Sequence, residues 1–340
     1  MRNVHLVGSV GLDTVEDVFA SVGELLGPHL KRVPDGEVGG RRLWISWQYP
    51  LLRANPFLQP LLRPGSSGSG VPPLCLAHGV QPEEVRFGEL GYAREARASY
   101  LDFLEAREKS ILPRDVRFQV CLPTPYAVVY SFCTPEAAPA VLPAYEAAML
   151  REVERIGARI PHRDLCLQWD VCHELLTWDG RWPRQSSFPG MDRQFATAFS
   201  RLGEAVPTDV ELGFHLCYGD FDGKHFIEPQ DMTKMVALAN LIFESVKRPI
   251  AYIHMPVPVD RDDEIYFAPL RDLRRPSGTE LYLGLVHAKD GIEGTTRRMA
   301  TASKFVSDFG VASECGISRA RKPDMVHELL RVHAAAARAE

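Results

Sequence analysis

The chain is 340 residues long, 45% hydrophobic and 24% charged, a globular balance with material for one large core, which excludes disorder as the default state. A formal net charge of -5 supplies no broad basic field, so nucleic acid is excluded as the expected partner and a small molecule is favoured. The start has no signal-peptide pattern and no run of ~18 apolar residues occurs, which predicts no membrane partner and a cytoplasmic protein.

Short apolar, β-rich runs recur between helix-like segments, the pattern of parallel strands buried on both faces. In chain order they are Val4 to Ser9, Leu30 to Val33, Val116 to Leu122, Leu165 to Asp170, Val210 to Cys217, Ile250 to His254, Leu281 to His287 and Gly310 to Cys315. Amphipathic stretches long enough to be crossover helices lie among them: Thr14 to Leu26, Glu89 to Lys109, Ala138 to Gly157, Phe195 to Ala205, Met232 to Val246 and Gly294 to Asp308. Eight alternations predict an α/β fold, one (β/α)8 TIM barrel over residues 1–340, with an insertion or lid after the second strand at about 40–110. That insertion includes the Pro-, Gly- and Ser-rich run Arg63 to Gly70, read as a mobile loop. The seven cysteines, Cys75, Cys121, Cys133, Cys166, Cys172, Cys217 and Cys315, are odd in number and scattered, which favours thiols and ligands over a disulfide framework.

In such a barrel the chemistry sits at the carboxyl ends of the strands. Those ends carry Ser9, then Asp35 and Glu37, Cys121, Asp170 with His173 and Glu174, His215 with Cys217, His254, His287, and Glu314 with Cys315. Burying so many ionisable groups is costly unless they are paired or ligate a metal.

In Gly213-Phe214-His215-Leu216-Cys217-Tyr218, residues two apart on an extended segment share a face, so the imidazole of His215 and the thiol of Cys217 can converge on one ion. Mixed nitrogen and sulfur ligation suits zinc, and a catalytic site needs three protein ligands with a position left open. Cys315, at the end of the last strand, is the third choice. The bland alternative is two inert thiols and a satisfied core histidine, which the spacing alone does not separate.

His215-Leu216-Cys217-Tyr218 with the distant Glu314-Cys315-Gly316-Ile317-Ser318-Arg319 resembles the catalytic barrel of cobalamin-independent methionine synthase. The opening Leu6-Val7-Gly8-Ser9 is similar to that family's Ile-Gly-Ser, and Leu167-Gln168-Trp169-Asp170 to its Gln-Ile-Asp-Glu-Pro strand. The resemblance runs from Val4 to Arg319 and implies zinc held by His215, Cys217 and Cys315, with Ser9 and Asp170 gripping an amino-acid substrate. The family's glutamate ligand falls where this chain has His254, leaving the fourth ligand open between His254, Glu314 and none. Val171 and Cys172 replace the family's Glu-Pro, so homocysteine is not implied as the sole acceptor, and whether folate is used is left open. His287 resembles the family histidine that delivers a proton during methyl transfer; its near-neutral pKa also suits it to general acid or base work, and a capping role is the alternative.

Asp35, Glu37 and Arg41 could grip a polar substrate, or close a turn by local ion pairs; His173, Glu174 and Arg319 could share in binding or complete their own segments. Together these residues predict a zinc transferase that activates a small thiol for S-methylation or S-alkylation, with a thiol and an alkyl donor as partners, a homo-oligomer left open, and His287 or Asp170 handling protons. Two rivals stand beside it: a metal-free lyase like uroporphyrinogen decarboxylase, with Asp35 and Arg41 central, and a noncatalytic zinc- or thiol-binding barrel.

Overall fold

The computed structural model describes residues 2–62, 70–182, 186–220, 224–318 and 322–339. Eight parallel strands, β1 (Val4–His5), β2 (Arg32–Pro34), β3 (Arg117–Pro123), β4 (Leu165–Val171), β5 (Glu211–Leu216), β6 (Tyr252–Pro256), β7 (Glu280–Val286) and β8 (Gly310–Ser313), form one sheet. From β2 to β8 each pairs with the next in chain order, β8 pairs with β1, and parallel bridges from Val4 to Leu30 and from Ser9 to Gly36 close the circle. The architecture is the expected (β/α)8 barrel. No helix among the described residues is long and apolar enough to cross a membrane.

Crossover helices follow the amphipathic stretches: Val15–Leu26, Tyr92–Glu108, Ala138–Gly157, Met191–Glu204, Thr233–Ser245 and Gly291–Ala302. Thr14 starts the first by accepting the Asp17 N–H, the side-chain cap that satisfies an orphan donor. Helix Tyr92–Glu108 packs between Val15–Leu26 and Ala138–Gly157, the place of an ordinary crossover, so the added part after β2 is confined to 39–91. Within it lie helix Gln48–Arg53 and an antiparallel pair, Leu58–Pro60 with Leu74–Leu76. Arg63 to Ser69, the glycine- and serine-rich run, lie outside the described residues. Helix Pro125–Phe132 escaped the sequence reading because two turns carry too little periodicity to register, whereas helix His173–Asp179 opens on His173 and Glu174.

The barrel interior carries buried polar groups, many of them hydrogen-bonded to one another. The Gln168 carbonyl oxygen meets His5 Nε2 at 3.0 Å and accepts from the Tyr252 hydroxyl at 2.9 Å, while the Gln168 amide donates to Val7 O at 2.6 Å and to Asp170 Oδ1 at 2.8 Å. Gln119 donates to Leu6 O at 2.9 Å. Below them Arg32 bonds Glu211 at 2.5 Å and Glu280 at 2.7 Å, its guanidinium 4.7 Å from the Tyr252 ring. The Tyr252 ring crosses the barrel through space that Gly213 leaves open: a Cβ there would stand 2.1 Å from its Cζ.

His333, on the final helix Pro323–Arg338 and near His5, is fully buried, bonds Leu329 O through Nδ1 at 2.7 Å, and is held at about 4 by burial. A histidine whose folded pKa lies below its unfolded value of 6.5 withholds a proton the unfolded chain takes up, so stability is intact above 6.5 and lost as pH falls towards 4. His333→Leu should therefore gain about 2 kcal/mol at pH 5 relative to its effect at pH 7.5, read from urea melts at the two pH values. Equal effects at both would contradict a neutral buried ring.

Candidate metal centre and cleft

From the end of β5 and just beyond β5 and β8 the chain presents His215, Cys217 and Cys315 to one point. Their donor atoms all lie within 4.8 Å of one another, the sole group of three or more His, Cys, Asp or Glu donors so placed among the described residues. The two sulfurs are 3.7 Å apart, and Cys315 Sγ is 3.9 Å from His215 Nε2. For ligands at tetrahedral angles around zinc, bond lengths of ~2.3 Å to sulfur and ~2.05 Å to nitrogen give edges of about 3.8 and 3.6 Å. The two edges that meet at Cys315 are close to those values, and the nitrogen and sulfur donors fit zinc.

The tautomer of His215 follows from its neighbours. His215 and His254 are paired across β5 and β6, and their Nδ1 atoms meet at 2.7 Å. His254 Nε2 lies 3.0 Å from Ser313 O, which can only accept, so that nitrogen carries the hydrogen. Burial holds His254 at about 3, so the ring is neutral and its Nδ1 must accept from His215 Nδ1–H. His215 Nε2 is left with its lone pair towards the sulfurs. His254, expected as a ligand, thus stands behind His215 with both nitrogens engaged, and orients it as a partner orients a metal-binding imidazole. Gly219 N–H donates to Cys217 Sγ at 3.2 Å; a hydrogen bond with the Cys172 thiol, and burial, hold the Cys217 thiol well above its ordinary range, so metal binding must displace its proton.

The three donors line a cleft shared with Ser9, Glu37, Trp44 and Asp170. Ser9 is fixed by Ile317, whose N–H donates to Ser9 O at 2.7 Å, and its hydroxyl occupies the place a Cβ on Gly316 would take. Asp170 accepts from the Trp44 indole at 3.1 Å as well as from Gln168. Glu37 sits at φ 49°, a left-handed conformation costly for a side-chain-bearing residue, pinned by its N–H to Asp35 Oδ1 at 3.0 Å. The sequence gives no hint of the Trp44 bond to Asp170; Asp220 and Phe226, also lining the cleft, sit in no motif, and Cys172 stood out only as the replacement for the family's proline.

Other expected residues stand apart from the cleft. Asp35 pairs with Arg41 at 2.8 Å, and Arg41 reaches Glu95 at 3.7 Å; burial raises the Asp35 pKa, but the guanidinium beside it outweighs this and holds it low. These two form the local ion pair. His173 bonds Ser131 Oγ at 2.8 Å beside Trp44 and Trp182, and Glu174 is buried, its pKa raised to about 7 by burial; both open helix His173–Asp179. His287 bonds Val257 O through Nε2 at 2.8 Å, and burial holds it at about 3. Its Nδ1 faces Glu314 at 3.8 Å, and Glu314 faces His225 at 3.4 Å; neither Glu314 nor His287 lines the cleft. Arg319 lies outside the described residues.

No family model matches the chain, and no curated protein matches it by sequence. Solved structures do match. One, described as a candidate vitamin-B12 independent methionine synthase from Listeria monocytogenes, aligns with a TM-score of 0.58 at 14% identity over 95% of this chain and 85% of that one. Another, described as a B12-independent methionine synthase from Shewanella sp. W3-18-1 in complex with selenomethionine, aligns with a TM-score of 0.59 at 13% identity over 98% and 97% of the two chains. The fold is that of the cobalamin-independent methionine synthases. At such identities the likeness establishes the barrel, not its substrates.

Proposed function

We propose that this chain is a zinc-dependent transferase that activates a small thiol for S-methylation or S-alkylation, with an acceptor that is not restricted to homocysteine. The observation that carries the reading is the convergence of two sulfurs and one imidazole nitrogen, all within 4.8 Å of one another, at the edge of a cleft on the carboxyl side of the barrel. Zinc held there would keep an incoming thiol as thiolate at neutral pH, although a free thiol has a pKa near ~8.5. Attack on the donor forms the carbon–sulfur bond as the bond from carbon to its leaving group breaks.

The chain's own groups orient both reactants. Asp170, fixed by Trp44 and Gln168, and Glu37 present carboxylates to the cleft, suited to a cationic or hydroxyl-bearing thiol; Ser9 offers a hydroxyl, and Asp170 can take or return a proton. Selenomethionine in the Shewanella structure is a methylated chalcogen amino acid, which supports a cleft for such a group. His287 would act through Glu314 rather than on the substrate. The pairing of Asp35 with Arg41, away from the cleft, gives the metal-free lyase reading no support. Seven free thiols suit a reducing, cytoplasmic setting.

The test is to load the protein with zinc, screen small thiols by the zinc-edge spectrum for a new metal–sulfur contact, and then offer methyl and alkyl donors. The expected result is a contact from at least one thiol and an S-alkylated product by mass spectrometry. Activity unchanged by chelation would overturn the metal reading, whereas thiol contact without turnover by any donor would leave a binding protein.

A further inference from the structure

Cys172 follows β4 directly and caps helix His173–Asp179. In the register between β4 and β5, Asp170 pairs with His215 and Val171 with Leu216, and Cys217 N–H donates to Val171 O at 3.0 Å, so one step further along sets Cys172 beside Cys217. Cys172 is 1% exposed and lines the same cleft as His215, Cys217 and Cys315. Of the two fourth donors the sequence offered, His254 uses both nitrogens on His215 and Ser313, and Glu314 faces His225 and His287.

We infer that Cys172 is the fourth, exchangeable protein ligand of this metal centre, making its donor set three sulfurs and one nitrogen. The inference rests on the proposed zinc reading and deepens it. Cys172 stands outside the trio whose donors lie within 4.8 Å, so its side chain must move towards them to complete the shell. A four-coordinate tetrahedral shell has no vacancy, so a thiol substrate enters only as one protein ligand departs. Exchange of Cys172 for the substrate balances in itself: the substrate S–H bond breaks, a Cys172 S–H bond forms, and one thiolate replaces another with no change of charge. No separate base is needed for that proton, consistent with a His287 removed from the cleft.

Cobalt(II) in place of zinc reports this directly, because the intensity of the sulfur-to-cobalt charge-transfer band scales with the number of cobalt–sulfur bonds. Cys172→Ser should lower the band by one third, from three sulfurs to two. Adding 2-mercaptoethanol should leave the parent band unchanged, as one sulfur replaces another, and raise that of the variant by half. Equal bands in parent and variant would overturn the inference while leaving the zinc reading intact; failure of the parent protein to take up cobalt or zinc would overturn that reading as well. Should the variant not fold, zinc-edge absorption fine structure on the parent protein decides alone: three sulfurs support the assignment and two refute it.

Discussion

Cys217→Ser and Cys315→Ser are each expected to weaken zinc binding by about two to three orders of magnitude. Apparent zinc affinities of ~10–16 kcal/mol in four-ligand sites assign about 3 to 4 kcal/mol to each ligand, and ~1.4 kcal/mol corresponds to tenfold. A serine hydroxyl in either place keeps the volume but offers no thiolate. The contrast is Cys133, a buried thiol on a different part of the barrel, pushed up to about 12 by burial, whose replacement should leave zinc affinity unchanged. His254→Leu should fall between, at about 10 to 100-fold, because it removes only the acceptor that fixes the His215 ring. Competition with a chromophoric chelator measures all four; equal affinities for the Cys217, Cys315 and Cys133 variants would refute the site.

Gly213→Ala is expected to destabilise the fold by about 3 kcal/mol or more. Backbone propensity argues the other way: Gly213 has no positive φ, and alanine in place of a compatible glycine ordinarily stabilises by ~0.4–1 kcal/mol. Here the new methyl would stand 2.1 and 2.2 Å from ring atoms of the fully buried Tyr252, which cannot turn aside without releasing Gln168. Steric overlap therefore wins. In a Tyr252→Ala background the same change should be nearly harmless, so urea melts of the double-mutant cycle should show a coupling of about 2 kcal/mol or more. A simple sum of the two single effects would mean the ring does not occupy that space.

The barrel was legible because its strands, buried on both faces, read as continuous apolar runs; all eight predicted runs contain or overlap an observed strand. Their ends shift where the chain leaves the ladder to build the mouth: β1 ends at His5 and β8 at Ser313, short of Ser9 and Cys315. His215, Cys217 and Cys315 were legible through period-two spacing and strand order. What the sequence hid were contacts made across the barrel. Nothing local says that Trp44, after β2, donates to Asp170 on β4, that His254 spends both nitrogens behind His215, or that Cys172 meets Cys217. These depend on register between neighbouring strands and on the depth of each side chain, which a linear pattern does not encode.

Crystals grown with zinc and measured at the zinc absorption edge test the metal centre most directly. The account predicts one anomalous peak about 2.3 Å from the sulfurs of Cys217 and Cys315 and about 2.0–2.1 Å from His215 Nε2. A peak elsewhere, or none beside those two sulfurs, would contradict it.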